Sequence, residues 1–294
     1  MNIYAWWTAC RPNTLIISIA PVLLGLSLSY HDDKFSRPLV ALLTLIAAIL
    51  IQIGTNLIND LYDFINGADT ENRLGPIRAT QSGLLSKEQV KRGAFFCFLL
   101  SLLIGVYLVY VGGIPILIIG SLSLISGYCY TAGPYPLAYN GLGDIFVFIF
   151  FGLIAVPGTY YLQSNELFNL SSILVGASIG FLAVAVLCVN NIRDVQSDRK
   201  VNKKTLVVRF GINKITLLYD IMIISSYLSI LIFIFRDGIY NHLGVLLLLL
   251  SLPIAIKLII DIHKMTGKEL NVILYRTALL IRTFSILLII GILV

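Results

Sequence analysis

The chain has 294 residues, of which 58% are hydrophobic and only 12% are charged, and its mean hydropathy is +0.91. A soluble domain of this length could not bury so many apolar side chains, so the composition indicates a polytopic membrane protein in contact with a lipid bilayer. The net charge of +6 does not indicate a nucleic-acid partner, because the basic residues lie in short loops between apolar segments.

Nine apolar segments are long enough to cross a bilayer, which takes about 20 residues of helix. They cover residues 14–30, 38–59, 93–111, 113–130, 145–163, 171–190, 215–235, 243–260 and 275–294. None has the alternating pattern of a lipid-facing barrel strand, and a helix satisfies its own backbone hydrogen bonds in hydrocarbon. The sequence therefore predicts an all-α protein in which residues 1–294 form one domain of nine transmembrane helices.

The distribution of lysine and arginine predicts the orientation of these helices. Most of the 21 basic residues lie before the first segment or in the connections after even-numbered segments, whereas the opposite connections hold only Lys34, Arg37 and Arg236. By the positive-inside rule we expect the N-terminus and the loops after even-numbered segments to be cytoplasmic. The expected location is the plasma membrane, which is the inner membrane in a cell that has two.

Two short motifs place carboxylates and amides on one helical face where apolar segments end. Their polar residues are Asn56, Asp60 and Asp63 in NLINDLYDF, and Asn190, Asp194 and Asp198 in NNIRDVQSD. Because residues three or four apart are neighbours on a helix surface, each set can direct its oxygens at one point. A lone carboxylate near the centre of a membrane helix is unfavourable by about 2.5 to 3.5 kcal/mol, so these acids require a partner.

Magnesium is a suitable partner, because Mg²⁺ prefers hard oxygen ligands and is usually shared between carboxylates, substrate phosphates and water. Both motifs are followed by basic residues that could hold phosphate oxygens, namely Arg73, Arg78, Lys203, Lys204 and Arg209. The spacing therefore predicts a metal-diphosphate site with the six residues of the two motifs as ligands. The alternative is that the acids form interhelical salt bridges. Asp69 and Glu71 fit a helix cap or a solvated charge better.

Residues 130–144, YTAGPYPLAYNGLGD, contain no lysine or arginine although they follow an even-numbered segment. We therefore expect the wall of a pocket, in which tyrosine rings attract a developing cation. Tyr130 and Asp144 are the catalytic candidates, and Tyr139 is a candidate substrate contact. Arg11, just before the first segment, either marks the cytoplasmic side or contacts an anionic substrate. The GxxxG step of Gly176 and Gly180 is assigned to close helix packing.

Four stretches resemble the UbiA-type membrane prenyltransferases: RPNTL, NLINDLYDFINGADTENRLGPIRATQSGLL, YTAGPYPLAYNGLGD and NNIRDVQSDRKVNKKTLVVRFG. The resemblance is greatest to the branch of this family that acts on 1,4-dihydroxy-2-naphthoate in menaquinone synthesis. It implies nine helices around a central cavity, with cap loops over a cytoplasmic mouth and a lateral opening for a lipid tail. It also implies Mg²⁺-dependent transfer of a polyprenyl group from polyprenyl diphosphate to dihydroxynaphthoate, with loss of carboxylate.

The family pattern NDxxDxxxD matches Asn59, Asp60 and Asp63, which makes Asn59 a further candidate for substrate binding. Gly67 stands where the third acid would be, and Asp69 follows two places later, so the role of Asp69 is open. Other aromatic acceptors remain alternatives: 4-hydroxybenzoate, homogentisate and haem. A different class, a cation-coupled transporter, would use intramembrane acids as an ion path. The sequence leaves the oligomeric state undetermined.

Overall fold

The computed structural model describes residues 2–71, 73–237 and 239–294. Met1, Asn72 and Gly238, which belong to the predicted domain 1–294, lie outside the described residues. The helices are α1 (Ile3–Cys10), α2 (Pro12–His31), α3 (Pro38–Ile65), α4 (Lys87–Cys129), α5 (Gly143–Val147), α6 (Ala155–Ser164), α7 (Leu170–Lys200), α8 (Leu206–Phe210), α9 (Ile212–Asp237), α10 (Leu252–Ile262) and α11 (Leu270–Leu293). The described residues contain no strand, so the all-α prediction is confirmed.

Shorter helical turns of other types connect or extend these helices. A π-helical turn, Phe148–Ile154, joins α5 to α6, so that Gly143–Ser164 forms one membrane span. A 3₁₀ helix, Ile239–Ser251, leads directly into α10, and together they form the span Leu243–Ile262. Two further 3₁₀ turns cover Ala138–Asn140 and Gly267–Glu269.

Within the described residues, eight helical stretches are long and apolar enough to cross a membrane. One of them is α4, whose 43 residues would extend about 65 Å, roughly twice the hydrocarbon thickness of a bilayer. Gly113 interrupts it with a φ of 66° and a ψ of −154°. A Cβ on Gly127 would lie 3.4 Å from the Phe98 ring, so the two arms of α4 lie side by side. The predicted segments 93–111 and 113–130 are therefore the arms of one helical hairpin.

Glycines bring α7 into backbone contact with the π-helical turn. A Cβ on Gly180 would lie 2.8 Å from the Cα of Gly152, and a Cβ on Gly176 would meet the Gly152 carbonyl oxygen. These approaches leave no room for a side chain. The assignment of Gly176 and Gly180 to close packing is confirmed.

The two ends of the bundle carry the residues predicted for opposite sides of the membrane. At one end, the Lys34 ammonium lies 2.7 Å from Glu166 and 3.1 Å from the Tyr160 hydroxyl. At the other, the start of α2 and the loops 66–86, 130–142 and 201–205 come together; we call this the polar end. A cavity of about 1040 Å³ extends from the polar end between the helices, and its walls include residues of α2, α3, α4, α7 and α11.

Candidate active site

The two acidic motifs meet at the polar end, on either side of one lysine. The Lys203 ammonium lies 3.3 Å from Asp63 Oδ1 and 3.7 Å from Asp198 Oδ1. The two carboxylates, both buried, are therefore close enough to share a ligand. Burial alone would lower the pKa of Lys203, but the neighbouring carboxylates outweigh burial and raise it.

A second cation lies between two other acids. Arg73 pairs with Asp69 through one guanidinium nitrogen, and its other terminal nitrogen lies 3.7 Å from Asp194. Arg78 Nε lies 3.2 Å from the second oxygen of Asp69. Burial raises the pKa of Asp69 to about 6. Asp69, which the sequence favoured only as a cap or a solvated charge, is thus a buried member of the site.

Arg193 and Asn271 belong to the site and were not predicted. Arg193 donates two hydrogen bonds of 2.7 Å to Asp194 and one of 2.9 Å to the Asn271 side chain. Asn271 in turn donates to the Leu74 carbonyl at 2.8 Å, which ties the loop 66–86 to α11. The charge of Arg193 beside Asp194 in an apolar helix was a usable signal. Asn271 belongs to no motif, so the sequence alone gave no signal for its role.

The Asp60 carboxylate binds two backbone amides, a contact that its spacing did not predict. Its two carboxylate oxygens accept hydrogen bonds from the backbone amides of Ala79 and Thr80, at 3.0 and 3.2 Å. The side chain is 1% exposed and is not among the residues that line the cavity. In this arrangement Asp60 holds the loop 66–86 against α3, and no ion pair among the described residues joins it to Lys203.

Asn56, a predicted metal ligand, lines the cavity and binds protein groups with its side chain. Its amide nitrogen donates to the Cys10 carbonyl at 3.0 Å and to the Thr14 hydroxyl at 3.1 Å. Its side-chain oxygen accepts from Gln52 at 3.2 Å. These bonds fasten the start of α2 to α3. They also place Arg11, which donates to the Asn56 carbonyl at 3.3 Å, in the cavity wall.

The remaining candidates divide between the cavity wall and the surrounding loops. Asn59, Asn190, Tyr130 and Asp144 line the cavity, and the Asn59 oxygen accepts from the Thr131 hydroxyl at 2.7 Å. Burial raises the pKa of Tyr130.

Tyr139 donates its hydroxyl to Asp63 at 2.9 Å, and the Lys203 ammonium lies 5.0 Å from the centre of its ring. Lys204 contributes its backbone amide to the Tyr139 carbonyl at 2.9 Å. The Lys204 side chain is exposed and does not line the cavity. Arg209 donates to the carbonyls of Asn140 and Lys204 and so joins two loops.

Comparison with known proteins identifies the family. Residues 18–279 match the UbiA prenyltransferase family. The chain belongs to this family. This UbiA chain is 43% identical over 213 residues to the 1,4-dihydroxy-2-naphthoate octaprenyltransferase of Escherichia coli, covering 70% of this chain and 68% of that protein. It is 35% identical to the protein of the same name from Haemophilus influenzae, covering 98% of this chain and 96% of that protein.

Solved structures share the fold of this UbiA chain. A UbiA homologue from Archaeoglobus fulgidus, solved with GPP and Mg²⁺ bound, aligns over 97% of this chain and 99% of its own, with a TM-score of 0.60 at 16% identity. A digeranylgeranylglyceryl phosphate synthase aligns over 99% of this chain and 98% of its own, with a TM-score of 0.65 at 16% identity. The membrane helices and the family together make this a multi-pass membrane protein.

The acids of the UbiA chain fit a hard divalent cation by their chemistry. In the part of the chain that the structure describes, no three histidine, cysteine, aspartate or glutamate side chains are grouped closely enough to hold an ion. However, Asp63 and Asp198 already bracket one positive charge, and Asp69 and Asp194 bracket another. Carboxylate oxygens that converge on positive charge beside a cavity suit Mg²⁺ bound together with a phosphate ligand.

Proposed function

We propose that this protein transfers a polyprenyl group from polyprenyl diphosphate to 1,4-dihydroxy-2-naphthoate, with loss of the carboxylate as carbon dioxide, to give demethylmenaquinol, the two-electron-reduced form of demethylmenaquinone. The observation that carries the proposal is the buried cluster of acids and bases at the polar end of a cavity of about 1040 Å³. A cluster of this kind suits a diphosphate, and the apolar helices suit its lipid tail. Two relatives bear the name 1,4-dihydroxy-2-naphthoate octaprenyltransferase, which supports the choice of acceptor.

Asp63, Asp194 and Asp198 are the residues that would hold Mg²⁺, with Asn190 beside them in the cavity wall. When bound, the metal supplies Lewis-acid charge that stabilises the departing diphosphate. Asp60 and Asn56, the other predicted ligands, act in this proposal as positioning residues, because their side chains hold the loop 66–86 and the start of α2.

The basic residues of the cavity wall would bind the diphosphate itself. Arg11, Arg73, Arg78 and Lys203 all line the cavity at the polar end. Each arginine can grip phosphate oxygens with two parallel hydrogen bonds. Arg73, Arg78 and Lys203 are held by carboxylates in the structure, so these cations are already in place when the charged substrate enters.

The pocket beyond the diphosphate would shield the allylic cation and admit the aromatic ring. The Tyr130 ring lines the cavity, and the Tyr139 hydroxyl is hydrogen-bonded to Asp63 at its polar end; aromatic rings favour positive charge. One oxygen of Asp144 is buried without a hydrogen-bond partner among the described residues, and Asp144 lines the cavity. This makes Asp144 the candidate that accepts a proton from the acceptor as the new carbon–carbon bond forms and returns it when the carboxylate leaves as carbon dioxide.

The lipid tail explains why the site lies inside a membrane protein. Each methylene buried away from water contributes about 0.8 kcal/mol, so a long polyprenyl chain stays in apolar surroundings. We infer that residues 1–294 form one domain, because one cavity is lined both by α1 and α2 and by α7 and α11. We also infer that the polar end faces the cytoplasm in the plasma membrane, since the basic loops lie there.

A direct assay tests the reaction and the acceptor together. Membranes that contain the protein are mixed with Mg²⁺, a polyprenyl diphosphate and either 1,4-dihydroxy-2-naphthoate or 4-hydroxybenzoate, and the products are identified by mass. We expect prenylated, decarboxylated product from the naphthoate alone. Product from 4-hydroxybenzoate alone would change the acceptor, and no prenylated product from either acid would refute the proposal.

A further inference from the structure

The cavity continues away from the polar end along one face of α11. The residues of this helix that line it are Asn271, Leu274, Tyr275, Ala278, Leu279 and Arg282. Their spacing of three or four residues follows the helical repeat, so they form one stripe, which we call the α11 stripe. It begins at Asn271, which contacts Arg193 in the site, and it ends at an arginine.

Arg282 lies deep in the membrane span. It is eleven residues beyond Asn271, about 16 Å along the helix axis, and it stands near the middle of the span Gly267–Leu293. A charged side chain at this depth is strongly disfavoured in hydrocarbon, and it is tolerated where it faces a polar partner or a cavity. The position of Arg282 therefore requires an explanation.

The described residues supply no partner for this charge. Among the described residues, no hydrogen bond or ion pair involves Arg282, whereas Arg276 on the same helix pairs with Asp261 at 2.9 Å. Side chains on an α-helix lean toward the N-terminus of the helix, which for α11 is the polar end. Arg282 is exposed and lines the cavity, so we expect its guanidinium to extend along the cavity toward the site, where an anionic ligand can reach it.

Two anionic groups take part in the proposed reaction, the diphosphate of the donor and the carboxylate of the acceptor, and they are expected at different depths of the cavity. The diphosphate has Arg73 and Lys203 at the polar end, about three turns of α11 away from Arg282. The second anion is the carboxylate of the aromatic acid, which a guanidinium binds with two parallel hydrogen bonds. Tyr275 lies between Asn271 and Arg282 on the α11 stripe, where its ring can pack against a planar acceptor.

We propose that Arg282 binds the carboxylate of the aromatic acceptor and orients its ring toward the prenyl diphosphate. This inference rests on the proposed function. It adds a specificity-determining residue on the last helix, outside the two acidic motifs and the loop 130–142. It also makes the site bind substrate more tightly than product, because a product that has lost its carboxylate no longer binds the guanidinium.

The test compares acceptors that do and do not carry the carboxylate. Arg282→Gln and Arg282→Lys are assayed with 1,4-dihydroxy-2-naphthoate and with 1,4-dihydroxynaphthalene at saturating polyprenyl diphosphate. For Arg282→Gln we expect the KM for the acid to rise about tenfold or more, which is the usual effect of losing a charged hydrogen bond. The KM for the uncharged analogue and for the diphosphate should stay within about twofold, and lysine should restore part of the affinity.

Arg276→Gln is the matched control, because it removes an arginine from the same helix at a position that does not line the cavity. Its KM for the acid should be unchanged, and thermal unfolding shows whether each variant is folded. Equal losses for both acceptors, a raised KM for the diphosphate, or no change in Arg282→Gln would overturn the inference.

A binding measurement separates this inference from the proposed reaction. Purified wild-type protein and Arg282→Gln are titrated with dihydroxynaphthoate alone, without a prenyl donor. Weaker binding to the variant supports the carboxylate site even if the wild type forms no prenylated product, which would refute only the reaction. Equal binding to both proteins, or no binding to either, would refute the site.

Discussion

At the residue scale, the site is a set of acids whose charges are neutralised by flexible basic side chains. Lys203 bridges Asp63 and Asp198, and Arg73 joins Asp69 to Asp194. Helical spacing was sufficient to predict that the two motifs share a site. It was insufficient to assign Asp60, because the orientation of that carboxylate depends on the path of the loop that supplies the Ala79 and Thr80 amides.

Substitutions of Asp60 and Asp63 are expected to have different effects, on stability and on activity respectively. Asp63→Asn should lower kcat/KM at least a hundredfold with little change in thermal stability, because Lys203 keeps Asp198 as a partner. Asp60→Asn places an amide donor against a backbone N–H, and the lost hydrogen bond should lower the free energy of unfolding by about 1 to 3 kcal/mol. Prenyl transfer assays and thermal unfolding in detergent measure the two effects. Equal activity losses with equal stability would contradict the distinction.

At the element scale, the apolar segments were readily predicted from their length and composition, and their internal irregularities were not. The α4 hairpin, the π-helical turn Phe148–Ile154 and the 3₁₀ helix Ile239–Ser251 all depend on contacts with neighbouring helices. Only the hairpin was indicated by the local sequence, in which the turn residues Gly112 and Gly113 separate two apolar runs. The close approach of α7 was visible because its glycines repeat at helical spacing.

Gly113 should be the most sensitive glycine of α4. Its φ of 66° with a ψ of −154° is a conformation that only glycine adopts readily, so Gly113→Ala should lower the free energy of unfolding by about 1 to 3 kcal/mol. Gly105→Ala is the control, because a Cβ at this helical position meets nothing within 4 Å and alanine favours helix by up to about 1 kcal/mol. Denaturant titration of both variants gives the comparison, and similar values would argue against a strained turn.

At the scale of the whole molecule, both ends of the bundle were predicted from the basic residues, whereas the central cavity was expected only from the family resemblance. Charge patterning decides which loops lie together, and the structure brings the predicted loops together at the polar end. The volume and lining of the cavity depend on how α11 and α4 pack around α3 and α7. The last spans carry no recognised motif, and for that reason Asn271 and Arg282 escaped sequence reasoning.

The orientation can be tested with impermeant thiol reagents on intact cells. Phe168 is 86% exposed at the end opposite the site, and Lys200 is exposed at the polar end. Phe168→Cys should react with an impermeant maleimide in whole cells, and Lys200→Cys should react only after permeabilisation. The wild-type chain, which has four free cysteines, supplies the background. The reverse pattern would place the polar end outside.

Metal removal should separate activity from folding. EDTA is expected to abolish prenyl transfer, and added Mg²⁺ should restore it, because the proposed chemistry needs the metal. The melting temperature should change by no more than a few degrees, since lysine and arginine already neutralise the acids. Activity assays and calorimetry on the same sample decide this, and full activity in EDTA would contradict a metal-dependent site.

The tethered ammonium of Lys203 has a consequence for the order in which ligands arrive. A free dication entering alone must displace a counter-ion that is covalently part of the chain, so it gains little net attraction. A dication that arrives already chelated by pyrophosphate brings anionic oxygens, and these can pair with the displaced lysine ammonium. Donor and metal are therefore expected to load as a single complex, with the apparent metal affinity rising as prenyl donor is added.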